Sequence, residues 1–172
     1  DLDENDGEEH PTTAINSFNV VDTGSNHVVL DGFTITGAND RLITGSNSRA
    51  EVRHCLLRGG IRMRDGELLV EDSKLVADDK LVGLGGWSLL DLENSDVKFR
   101  RCEFHGGDKP ESDTDESSVT LVTQSGGSSW MEDCLFRQVH SPHTGIAGSG
   151  NLRASRCLFE GSMTSRFSEG IH

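Results

Sequence analysis

The sequence predicts an all-β solenoid of parallel strands stacked in register, and three observations predict it. An eight-residue phrase recurs: Leu30 to Gly37 reads LDGFTITG, and altered copies begin at Val52, Val70, Phe99, Met131 and Ala154. An internal repeat of this kind fixes the architecture ahead of any local signal. Apolar positions within the phrase alternate instead of recurring at helical spacing, which calls for strands. Charge alternates from copy to copy in two adjacent columns, which calls for copies lying side by side in register.

The fourth column of the repeat marks its register: Phe33, Cys55, Ser73, Cys102, Cys134 and Cys157. Successive marks stand 22, 18, 29, 32 and 23 residues apart. A base period of about 22 is one coil of a solenoid, and the two longest steps hold loop insertions. Columns one, four and six are apolar, small or cysteine and are expected to face inward. They read Leu30/Val52/Val70/Phe99/Met131/Ala154, then the register marks, then Ile35/Leu57/Leu75/Phe104/Phe136/Phe159. Column two reads Asp31, Arg53, Glu71, Arg100, Glu132, Ser155, and column three Gly32, His54, Asp72, Arg101, Asp133, Arg156. With strands about 4.8 Å apart, each acid is expected to sit between two bases, so both columns form a structural ladder of charge.

This arrangement resembles the right-handed, single-stranded parallel β-helix of the pectate-lyase-like superfamily, here with about 6–7 coils of roughly 22 residues and two loop insertions. The phrase Leu30 to Gly37 is similar to repeats of bacterial secreted and cell-surface proteins, including the polymorphic outer-membrane-protein type. The resemblance spans roughly Ser17 to Phe167. It implies a secreted or surface location and says little about activity, because the superfamily holds lyases, hydrolases, adhesins and inert spacers.

Composition agrees with one thin core and many turns. The chain has 172 residues, enough for one domain, with 33% hydrophobic residues, 20 glycines and no tyrosine. Its net charge of −13 argues against nucleic acid or an anionic membrane surface as partner. No apolar run approaches the ~20 residues of a transmembrane helix. With no initial Met and no signal-peptide pattern, the sequence is expected to be a fragment of a longer protein.

Taken in order, residues 1–16 are an acidic lead or incomplete coil, and residues 17–172 form the solenoid. Asp1, Asp3 and Asn5 alternate as the early ligands of a calcium loop do, but the glycine is Gly7 and Thr12 stands where a bidentate Glu belongs. Calcium and a solvated lead both stay open. Ser17 to Val21 is the first expected strand, followed by the turn Thr23-Gly24-Ser25-Asn26. A second apolar run follows each marked strand: Leu42-Ile43, Ile61 to Met63, Leu81 to Leu84, Val119 to Val122, Ile146 and Phe167. These predict a further strand per coil and a three-sided cross-section. Arg62 and Arg64 flank Met63 out, in, out.

Lys80 to Leu92 reads as the first insertion, where Trp87 packs over a coil edge or stacks on a ligand. Gly106 to Ser118 reads as the second; Asp108, Glu111, Asp113, Asp115 and Glu116 there are calcium candidates or a solvated loop. His140 and His143 flank a Pro turn and lack a third metal ligand. The four cysteines, Cys55, Cys102, Cys134 and Cys157, contain no CxxC pair, so a zinc ribbon is disfavoured. Export would favour disulfides, but parallel Cβ vectors on stacked strands favour an interior column of free thiols.

The catalytic candidates are Asp72, Arg101 and Asp133. Glycoside hydrolysis wants two carboxylates ~5–5.5 or ~6.5–9.5 Å apart. Asp72 and Asp133, two coils apart, fall about 10 Å apart with Arg101 between them, which opposes a general acid. The sequence thus favours a non-catalytic structural or adhesive segment that needs no cofactor. Its expected partners are a polysaccharide or cell-surface component, or flanking repeats and other copies meeting it end to end. The alternative is a polysaccharide lyase or hydrolase, or a carbohydrate-binding β-helix.

Overall fold

The computed structural model describes residues 19–77, 88–106, 120–137 and 146–160. Among them the chain is strand and turn without helix. The strands are β1 (Asn19–Asp22), β2 (His27–Asp31), β3 (Thr34–Ser46), β4 (Arg49–Arg53), β5 (Leu56–Arg64), β6 (Glu67–Glu71), β7 (Lys74–Val76), β8 (Ser88–Arg100), β9 (Glu103–His105), β10 (Thr120–Glu132), β11 (Leu135–Arg137), β12 (Ile146–Gly148), β13 (Asn151–Ser155) and β14 (Leu158–Phe159). Their pairings are parallel.

The pairings fall into three stacks. Stack A holds β2, β4, β6, residues 96–100 of β8, residues 128–132 of β10, and β13. Stack B holds residues 34–36 of β3, residues 56–58 of β5, then β7, β9, β11 and β14. Stack C holds β1, the ends of β3 and β5, the starts of β8 and β10, and β12. Each of the first five repeats therefore gives one strand to each stack in the order A, B, C, and the described residues of the sixth give β13 to stack A and β14 to stack B. The columns of the sequence repeat are columns of the structure: Leu30 lies opposite Val52, Val52 opposite Val70, Val70 opposite Phe99, and Phe99 opposite Met131.

The core is the inward side of the three stacks. Val52, Val70, Phe99 and Met131 from stack A, Leu57, Leu75, Phe104 and Phe136 from stack B, and Ile43, Ile61, Leu90 and Val122 from stack C are all fully buried. Period-two alternation puts them there; Met63 is buried between half-buried Arg62 and exposed Arg64. Phe104, Phe136 and Phe159 form a ring column, with centroids 4.7 and 4.5 Å apart and near-parallel planes. Phe99 meets Phe104 edge-on at 5.3 Å. Such pairs add about 0.5–1.5 kcal/mol each beyond their burial.

Two expectations need correcting. Phe33, Ala154 and Phe159 sit in inward columns yet are exposed, Phe33 by 54%. Each belongs to the first or last described repeat, so among the described residues it has a stacked neighbour on one side only. The stack C strand of the third repeat starts at Ser88, and Leu90 pairs with Ile61 and Val122. Residues 88–92 are therefore strand and not insertion; Leu81 to Leu84 lies outside the described residues.

The connections differ in kind. The A-to-B corner is always two residues, whereas the described B-to-C connection of the second repeat runs through Gly59 inside β5. There Gly59 has φ +134°, and a Cβ would come within 2.9 Å of Leu42 Cγ, so only glycine fits.

Candidate functional site

The A-to-B corner carries most of the candidate residues, and its geometry begins with the backbone. Column three is the first corner residue of each repeat and always lies at positive φ: Gly32 at 76°, His54 51°, Asp72 49°, Arg101 51°, Asp133 54° and Arg156 52°. A side chain in this left-handed region costs about 1–2 kcal/mol, so something must hold it.

Column four supplies one restraint. The Cys55 thiol donates to Arg53 O at 3.1 Å, Cys102 to Arg100 O at 3.3 Å, Cys134 to Glu132 O at 3.4 Å and Cys157 to Ser155 O at 3.4 Å. The Ser73 hydroxyl makes the same bond to Glu71 O at 2.7 Å and accepts the Cys55 N–H at 3.0 Å. Ser and Cys alternate here because both place a short donor two residues after the carbonyl it closes on. No disulfide joins the four thiols; Cys55, Cys102 and Cys134 are buried and Cys157 is half-buried. The neighbouring Cys134 sulfur, and burial, push the Cys102 thiol well above the ordinary cysteine range.

The charged columns supply the other restraint. In column three Arg101 Nε and Nη2 donate to the two oxygens of Asp72, both at 2.7 Å. Arg156 does the same to Asp133 at 2.6 and 2.8 Å, and its Nη2 also reaches Glu132 Oε1 at 2.7 Å. His54 Nδ1 lies 2.8 Å from Asp31 Oδ1, and its Nε2 is 4.0 Å from Asp72. In column three Asp72 and Asp133 each stand between two bases, with the base of the next repeat held far more closely than that of the previous one. Bidentate geometry explains this, because one guanidinium fork fits one carboxylate. Column two is shared: Glu71 lies 3.7 Å from Arg53 and 3.3 Å from Arg100, while Glu132 lies 3.5 Å from Arg100.

These bonds set the chemistry available. Hydrogen bonds from Arg101 hold the Asp72 carboxyl below the usual range, and those from Arg156 do so for Asp133. Arg101 and Arg156 are correspondingly raised by the carboxylates they bind, which removes Arg101 as a proton acceptor. Asp72, Arg101 and Asp133 share the wall of a shallow groove of about 590 Å³ with Lys74 and Glu103, over a floor that includes Cys55, Ser73 and Cys102. A carboxylate stabilised in its charged form is a poor general acid.

The other faces repeat the pattern. Arg62 Nε donates to Asp91 at 2.8 Å, and Arg64 lies 3.0 Å from Glu93 in stack C. In stack B, Glu103 lies 2.6 Å from His105 and 3.4 Å from Lys74, and Arg137 lies 3.0 Å from Glu160. Burial works to raise Glu103, but the His105 hydrogen bond and the Lys74 charge outweigh it and lower it. A second concavity of about 650 Å³ follows the C-to-A corner past Asn47, Asp65 and Asn94, which also stand at positive φ.

Two features of stack A are missed by sequence reasoning. Glu51, only 7% exposed, lies within 3.1 Å of His27 Nε2, 3.0 Å of Arg49 and 2.7 Å of Arg53. Trp130 is outward and exposed, with Lys98 Nζ 4.7 Å from its ring centroid. Both stand in the column two residues before column two, and reading that column would have found them.

The calcium candidates Asp1, Asp3, Asn5, Asp108, Glu111, Asp113, Asp115 and Glu116 lie outside the described residues, as do Trp87, His140 and His143. Among the described residues no three His, Cys, Asp or Glu side chains gather as metal ligands do, and no helix is long and apolar enough to cross a membrane. Comparison of the chain with protein-family models, curated proteins and solved structures finds no match.

Proposed function

We propose that the chain winds as a right-handed parallel β-helix and serves as a non-catalytic structural or adhesive segment of a secreted or cell-surface protein. The pectate-lyase-like repeat it resembles suggests that architecture, and the three parallel stacks support it. One observation carries the functional part: both candidate catalytic carboxylates, Asp72 and Asp133, are gripped bidentately by arginines of the next repeat. That engagement stabilises the stack and withholds each carboxylate from proton transfer.

The groove along the A-to-B corner favours a second reading, a polysaccharide lyase or hydrolase or a carbohydrate-binding β-helix. Depolymerisation of acidic and neutral polysaccharides, with and without calcium, separates the readings. The structural reading expects no cleavage and no calcium-dependent shift in thermal unfolding. Cleavage that disappears in Asp72→Asn would replace it with the lyase or hydrolase.

A further inference from the structure

The outer face of stack A carries an aromatic side chain that the charge ladders do not use. Trp130 projects outward from β10 between two described strands; β8 sets Lys98 opposite it on one side and β13 sets Arg153 opposite it on the other. With both neighbours in place Trp130 is still 44% exposed. Lys98 Nζ, 4.7 Å from the ring centroid, takes up one face of the indole, and no second cation or ring meets it among the described residues. The two flanking cations are also spare. Elsewhere in stack A, Arg49, Arg53 and Arg100 are engaged by Glu51, Glu71 or Glu132. Neither Lys98 nor Arg153 has an ion-pair partner among the described residues. The outward rows on either side offer acceptors: Asp96, which takes the Ser128 hydroxyl at 2.6 Å, and Glu132, held by Arg156 at 2.7 Å. A carboxylate has about four lone-pair sites, so both keep accepting capacity.

Shape and charge together select the ligand. Trp130 lines neither concavity described above; it stands on an open sheet face. A small molecule needs enclosure, so the occupant of an open face is an extended chain. A peptide finds no main-chain handle, because β10 is paired along both edges here. A nucleic acid stacks bases on aromatic rings but needs a continuous basic track. This patch is bounded by Asp96 and Glu132, on a chain of net charge −13. A polysaccharide suits all three features. The apolar face of a pyranose covers the free indole face, its hydroxyls donate to Asp96 and Glu132, and an acid group meets Lys98 and Arg153. The same two carboxylates oppose a glycan charged on every unit.

We infer that the outer face of β8, β10 and β13 binds a polysaccharide in which acidic sugars alternate with neutral ones, with one ring stacked on Trp130. The inference rests on the adhesive reading proposed above and gives it a site and a ligand class.

The test titrates the whole chain by calorimetry with hyaluronan fragments, whose uronate alternates with a neutral sugar. Dextran, polygalacturonate and a single-stranded oligonucleotide serve as the uncharged, fully charged and nucleic-acid comparisons. Hyaluronan should bind most tightly. Trp130→Ala should weaken that binding about tenfold with an unchanged circular-dichroism spectrum. Arg153→Gln, at an exposed side chain, should narrow the gap between hyaluronan and dextran; it decides the matter if Trp130→Ala loses its β-sheet spectrum. Hyaluronan binding that neither variant alters would overturn the site and leave the adhesive reading standing. Binding of none of the three glycans would overturn the site and its ligand class, and an oligonucleotide that binds more tightly than hyaluronan would overturn the class. Shortening of hyaluronan by the unaltered chain would overturn the non-catalytic reading, whereas loss of its binding in Trp130→Ala would still support the site.

Discussion

Arg101 grips Asp72 through two hydrogen bonds of 2.7 Å across 29 residues of sequence, and both residues stand at left-handed corners of the backbone. The ion pair and the turn are therefore one device. The arginine that restrains its own corner also ties down the corner of the previous repeat. Repeated with Arg156 and Asp133, it converts a corner that costs conformational energy into a connection between neighbours.

Acid should loosen this device. Asp72 and Asp133 titrate below the ordinary aspartate range, so the folded state binds their protons less readily than the unfolded chain does. Their contribution is complete above the unfolded value of about 3.9 and is lost as pH falls through the lower folded values. Thermal unfolding followed below about pH 4 should show a steeper loss of stability in the unaltered chain than in Asp72→Asn/Asp133→Asn.

The ring column should respond by position. Phe136 is fully buried between two rings, and Phe136→Ala should cost about 3–5 kcal/mol in chemical denaturation. Phe159→Ala, with a stacked ring on one side only among the described residues, should cost clearly less. Equal losses would mean that the last repeat is as enclosed as the middle.

Column four makes a sharper distinction between substitutions of similar size. Cys102→Ser keeps a donor for the Arg100 carbonyl and should behave as Ser73 does one repeat earlier. Cys102→Ala leaves that carbonyl without the bond and should lose about 0.5–1.5 kcal/mol more, measured by urea unfolding. Under native conditions a thiol reagent should reach half-buried Cys157 before Cys55, Cys102 or Cys134.

The stacking was legible because a repeat places equivalent residues in equivalent surroundings. Val52, Val70 and Phe99 share a column because they share a job. The left-handed corner was hidden, since only Gly32 announces such a backbone, while His54, Arg101 and Arg156 are ordinary residues held there by neighbours. The stack C strand at Ser88 was missed because an insertion lets two apolar runs compete for one place, and register decides between them only in three dimensions. Phe33 and Phe159 look like core residues in sequence; their exposure depends on what lies beyond the last strand, which no column records.

The most direct measurement is a double-mutant cycle of thermal stability on Asp72→Asn and Arg101→Gln. If the candidate catalytic residues serve the stack, each single change lowers the melting temperature and the double change costs less than the sum. That coupling should shrink as salt is added, because both side chains are solvent-exposed in part. Strict additivity at low salt would contradict the account and return Asp72, Arg101 and Asp133 to consideration as an active site.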